Sequence, residues 1–150
     1  TSDVERALPG IRMWLDEAAL PNLPPPLALD VNGDWPQMRF DAAFTGNTLH
    51  IMGWPEVQTF FAGLDRVLEP RGMLAVYGPF NYEGRFTSDN NRAFDEWLKR
   101  QSPVSGVRDF EAVDALANAV RFEPVADHAM PANNRLLVWA RRQSGARIGA

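Results

Sequence analysis

The chain has no cysteine, which excludes disulfides and thiolate metal ligands. Its two histidines, His50 and His128, lie too far apart to show a metal-ligand spacing, and no metal site is expected. No apolar run approaches the length that spans a bilayer, and no signal-peptide pattern is present, so the expected setting is soluble and cytoplasmic, with no membrane. Positive charge is also scarce. With 15 Lys and Arg against 19 Asp and Glu, the formal charge is −4, which argues against general nucleic-acid binding and favours a small-molecule or protein substrate. None of the 11 glycines belongs to a clustered turn, the device that lets a backbone pass close to a nucleotide.

What is present reads as one α/β unit. A chain of 150 residues that is 45% hydrophobic is long enough for one domain with a core and too short for two ordinary ones. Residues 40–45 read as a buried strand ending in a polar tip. Val57, Phe60, Phe61, Leu64, Val67 and Leu68 recur at helical spacing, and residues 73–77 read as the next strand after a turn at Pro70-Arg71-Gly72. Upstream, Thr1-Ser2-Asp3 reads as the tip of a strand. A helix is expected over residues 9–19, a stiff connection over the prolines from Pro21 to Pro26, and a strand over residues 27–31. Downstream, Ser88 or Asp89 caps a helix whose buried face is Phe94, Trp97 and Leu98, and Asp109 caps a helix carrying Phe110, Val113, Leu116 and Val120. Residues 122–126 and 135–140 read as a closing antiparallel pair around a loop at 127–134. Disorder is expected from Gln143 on. Three or four of the 5 tryptophans should be at least half buried.

Five stretches carry a resemblance: Asn47-Thr48-Leu49-His50-Ile51, Tyr77-Gly78-Pro79-Phe80, Asn90-Asn91-Arg92-Ala93-Phe94-Asp95, Gly106-Val107-Arg108-Asp109 and Met130-Pro131-Ala132-Asn133-Asn134. In these the chain resembles the DUF938 family of methyltransferase-like proteins, from Thr1 to about Arg142. The resemblance implies a Rossmann-like class I methyltransferase fold, α/β, with a mostly parallel sheet and a final antiparallel strand. It implies that residues 1–142 are the C-terminal portion of such a domain, incomplete at the N-terminus because the glycine loop would lie before Asp3. Strand edges left open by that gap would pair with a second copy, a homodimer.

The implied activity is transfer of a methyl group from S-adenosylmethionine to a small-molecule acceptor. The alternatives are a non-catalytic binding protein on the same fold and a fragment of a nicotinamide-dependent enzyme. In open α/β sheets ligands bind beyond the carboxyl ends of the strands. There Asp3 would take the ribose hydroxyls or serve as a solvated cap, and Asp30 with Val31 would face the adenine unless Asp30 is an ordinary loop aspartate. Asn47 and Leu49 would lie on the methionyl side. His50, with Asn47 and Tyr77, is a candidate catalytic group, as general base or orienting partner, against the alternative of a histidine hydrogen-bonded at a strand end. His50, Tyr77, Asn81, Arg85 and Asn133 would line the acceptor site, or else form structural turns.

Overall fold

The computed structural model describes residues 1–142, and the expected disordered tail lies outside them. The chain falls into two units, Thr1–Pro36 and the remainder from Gln37. In the first, strands β1 (Ser2–Asp3) and β2 (Leu27–Ala28) pair in parallel, joined through a 3-10 turn at Glu5–Ala7 and helix α1 (Leu8–Ala18). Pro9 sits in the first turn of α1, where a missing N–H costs nothing. Ala19, at φ 46°, ends the helix by donating its N–H to Leu15 O. Strand β2 stops short of the expected Val31. The Asp30 side chain accepts the Asn32 N–H and the Asp30 carbonyl accepts the Gly33 N–H, so the backbone turns instead of extending.

The second unit holds β3 (Phe40–Gly46), α2 (Trp54–Val67), β4 (Leu68–Gly78), β5 (Phe80–Asn81), α3 (Asp89–Gln101), β6 (Arg108–Asp109), α4 (Phe110–Ala119), β7 (Phe122–Met130) and β8 (Asn134–Arg141). Four of these strands form one sheet in the order β3-β4-β8-β7. β3 and β4 run parallel and β8 is antiparallel to both its neighbours, so only the final strand is reversed, as expected. Short strands β5 and β6 pair in parallel beside it in the chain.

Helix α2 starts where the Gly53 N–H donates to Glu56 Oε2 at 2.6 Å. Its stripe of Val57, Phe61, Leu64 and Val67 is buried, as are Leu74 and Val76 on β4 and their partners Trp139 and Leu137 on β8. Full burial of each such side chain contributes about 1.5–3 kcal/mol. Helix α4 is tied to the sheet by Trp139 Nε1, which donates to Asp114 Oδ1 at 2.8 Å. Four of the 5 tryptophans are less than half exposed; Trp14, 73% exposed, is the exception.

Four expectations need correction. Strand β3 is not buried: it pairs with β4 alone among the described residues, and Phe44 is 71% exposed. The turn at Pro70-Arg71-Gly72 is a bulge within β4, where the register jumps from Phe40↔Leu68 to Ala42↔Met73. A Cβ on Gly72 would stand 2.9 Å from the Glu69 carbonyl oxygen, so the bulge closes only over glycine. Strand β7 runs on to Met130, because the ladder with β8 continues to Met130↔Asn134 and Asp127 pairs with Arg135 at 2.7 Å; the connection is only Pro131–Asn133. Finally, the buried stripe of α3 is Asn91, Asp95 and Leu98, while Trp97 is 47% exposed and stacks on Phe94. Polar groups occupy that stripe because they are satisfied there. Asp95 accepts from the Val107 N–H and from Lys99, and Asn91 Nδ2 donates to Thr87 Oγ1 and Asn133 O.

Candidate functional site

In the first unit, parallel pairing brings the carboxyl ends of β1 and β2 to one edge. Beyond that edge lies a cleft of about 550 Å³ whose lining includes Val4, Glu5 and Arg6 after β1 and Asp30, Gly33 and Asp34 after β2. Asp3 ends β1, outside the lining, and is exposed, its Oδ1 accepting the Val4 N–H at 2.7 Å. Asp30 is exposed and its Oδ1 accepts the Asn32 N–H at 2.9 Å. A carboxylate has about four acceptor sites, so both retain capacity for a ligand's donors. With Glu5, Asp30 and Asp34 against Arg6, the lining favours hydroxyl and amino donors over anions. Val31 is half-buried and outside the lining; its carbonyl accepts Trp35 Nε1 at 3.1 Å.

In the second unit, Asn47 follows β3 in a left-handed conformation at φ 56° and donates its N–H to Tyr77 O at 2.8 Å. The chain then turns through residues 48–51, burying Leu49 and His50. Segment 104–108 clamps this turn. Arg108 Nε donates to Leu49 O, the Gly106 N–H to His50 O, Ser105 Oγ to Ile51 O, and a second Arg108 nitrogen to Met52 O. Every carbonyl from Leu49 to Met52 is thereby engaged, and the ring of His50 is presented on a fixed backbone.

A Cβ on Gly78 would stand 3.5 Å from His50 Nδ1 and 3.8 Å from Asn47 Oδ1, so these two side chains converge on one point of the β4 backbone. Phe94 meets the imidazole edge-on at 5.4 Å. Burial, reinforced by the Arg108 charge, pulls the His50 pKa from 6.5 to about 4. The imidazole is therefore neutral at pH 7 and only weakly basic.

The remaining candidates divide. Asn134 Nδ2 donates to the Tyr77 hydroxyl at 3.1 Å. Asn81 is 8% exposed, and its buried Oδ1 has no protein donor. Asn133 contributes its carbonyl to Asn91 while its residue is exposed. Arg85 lies apart, exposed in a tight turn whose backbone bonds join it to Tyr82. Sequence reasoning gave no place in the site to Arg108, Asn91 or Phe94, although all three lie in the stretches that carry the family resemblance. Gly106 has a physical signal of its own: a Cβ there would stand 2.9 Å from Asp95 Oδ1, so glycine alone lets the Val107 N–H reach that carboxylate.

A family model described as "Protein of unknown function (DUF938)" matches residues 1–141. The chain belongs to the DUF938 family. Among solved structures, this DUF938 chain is similar to an O-methyltransferase family protein from Burkholderia thailandensis, with TM-score 0.84, 11% identity, and coverage of 96% of this chain and 43% of that one. It is similar to the S-adenosylmethionine-dependent methyltransferase SibL in its apo form, with TM-score 0.78, 20% identity, and coverage of 95% and 43%. It is also similar to a structure described as a pericyclic reaction enzyme, with TM-score 0.71, 12% identity, and coverage of 94% and 35%. The DUF938 chain thus has a Rossmann-like methyltransferase fold and spans less than half the length of these structures. Among its described residues no helix is long and apolar enough to cross a membrane, and no group of three acidic or histidine side chains could hold a metal ion.

Proposed function

We propose that this DUF938 chain is an S-adenosylmethionine-dependent methyltransferase domain acting on a small-molecule acceptor. The observation that carries the reading is the acidic cleft beyond the carboxyl ends of β1 and β2. Its chemistry fits a nucleoside: Asp30 in the lining accepts from an amino group, and Asp3, at the strand tip next to the lining residue Val4, from ribose hydroxyls. When bound, S-adenosylmethionine supplies an electrophilic methyl group.

In the second unit, the clamp of segment 104–108 fixes the backbone that carries His50. A neutral imidazole can accept a hydrogen bond from an acceptor hydroxyl and orient its oxygen. At a pKa near 4, alignment is the larger part of its contribution. The undonated oxygen of Asn81 offers an acceptor for a substrate hydroxyl or amine, and the Tyr77 hydroxyl a donor.

The test is calorimetric titration of the folded chain with S-adenosylhomocysteine. One-to-one saturation is expected, weakened about tenfold in Asp30→Ala, the scale of one charge-assisted hydrogen bond. No saturable heat, or equal affinity in the variant, overturns the assignment. A second reading, a non-catalytic binding protein, draws on the low basicity of His50 and on the fold's range of chemistries. It requires binding without turnover, whereas the methyltransferase reading requires His50→Ala to keep affinity and lose turnover.

A further inference from the structure

The opposite end of the four-stranded sheet carries a second cleft, of about 410 Å³, lined by Arg39, Arg66, Arg121, Arg141 and Arg142 around Asp65. Its position follows from the topology. Arg39 precedes β3, Asp65 and Arg66 lie in the last turn of α2, Arg121 precedes β7, and the reversed strand β8 delivers Arg141 to the same end.

The charges there are not balanced. Asp65 Oδ1 already accepts from Arg121 at 3.0 Å and from Arg141 at 2.7 Å. Arg39 and Arg141 both donate to Leu68 O, and Arg142 pairs with Glu123 at 2.5 Å. Arg66 is exposed, and its side chain has no hydrogen bond or ion pair among the described residues. Five guanidiniums against the carboxylates of Asp65 and Glu123 leave a surplus of three positive charges, in a chain whose net charge is −4. The side chain of Arg141 is 4% exposed and its Nε is buried without an acceptor. Burial pulls this guanidinium below its ordinary pKa; Asp65 opposes that shift, and the charges of Arg121 and Arg39 add to it.

Holding like charges together at partial burial is unfavourable unless an anion joins them. Guanidinium forks match phosphate oxygens two at a time, and a surplus of three charges exceeds what one carboxylate neutralises. We propose that this cleft binds the diphosphate group of a small molecule. Arg66 and Arg121 are the groups best placed to close on it, since Arg39 and Arg141 are occupied by the carbonyls at the end of α2.

The test is titration of the chain with inorganic pyrophosphate at constant ionic strength, with succinate as the dicarboxylate arm. One-to-one saturation by pyrophosphate is expected, with succinate weaker. Arg66→Gln should weaken pyrophosphate about tenfold, the factor that loss of one charged contact supplies. Arg66→Gln combined with Arg121→Gln should weaken it further, and Arg100→Gln, on exposed α3 surface, should not. Thermal melting verifies folding; if the double variant does not fold, Arg66→Gln decides alone, because that side chain holds no internal bond. Absence of saturation, an equal loss in Arg100→Gln, or succinate binding as tightly as pyrophosphate overturns the proposal.

Discussion

The two ends of the four-stranded sheet are built from opposite chemistry. At the carboxyl ends of β3 and β4 the groups that converge are amides, a phenol and a neutral imidazole, and the Arg108 guanidinium is bound to backbone carbonyls of residues 49, 52 and 104. At the amino ends, five arginines share a cleft with one carboxylate. The first end offers uncharged donors and acceptors that can orient a polar group, whereas the second attracts anions. One sheet thus separates two recognition problems by its length, and strand direction does the sorting. Because β8 runs against its neighbours, Asn134 at its start joins Tyr77 while Arg141 at its end joins Asp65.

The most damaging way to break this contrast is to remove the buried arginine. Arg141→Leu deletes bonds to Leu68 O, Asp65 O and Asp65 Oδ1, and is expected to cost about 3 kcal/mol in urea unfolding. A cost below about 1 kcal/mol would mean that this end behaves like ordinary surface charge.

The neutral end is sharpened by pH. His50 has a folded pKa of about 4 against an ordinary 6.5, so between those values the unfolded state binds more protons. The stability linked to His50 is fully present above pH 6.5 and is lost as pH falls toward 4, by about 3 kcal/mol at most. Unfolding of the parent and His50→Gln at pH 7 and pH 4.5 isolates this part, which should vanish in the variant. A parallel pH response in both would mean that His50 is not the buried neutral group described.

The smallest effect belongs to Tyr77→Phe, which removes the contact with Asn134 at 3.1 Å. It should cost about 0.5–1.5 kcal/mol, with affinity for S-adenosylhomocysteine unchanged. A larger loss would make the phenol a structural strut and not a group available to an acceptor.

Much of the framework was legible beforehand. Val57, Phe61, Leu64 and Val67 announce the buried face of α2 by spacing alone, and Ser88 announces the start of α3, where it accepts the Asn91 N–H. Other features were not. The apolar residues of α3 pointed to Phe94 and Trp97, but the buried stripe holds Asn91 and Asp95, whose partners Asn133 and Val107 lie 42 and 12 residues away. Strand β3 reads as buried from Phe40 and Phe44, yet its place at the margin of the sheet leaves Phe44 exposed.

The candidate sites follow the same division. Asp3, Asp30, Asn47 and His50 stand out because polar residues close to strand ends are visible in the chain's own order. The clamp on the His50 turn comes from residues 105–108, more than 50 positions later, and the arginine cleft gathers Arg39, Arg66, Arg121 and Arg141 from four separate segments.

By itself, the sequence determined the helices and the existence of the principal strands, because periodicity, caps and turn residues act between neighbours in the chain. Only the tertiary structure decided which polar groups could be buried and which charges would meet. A hydrogen-bond partner or a counter-ion is a matter of distance in space, and that distance exists only once the sheet has brought remote segments together.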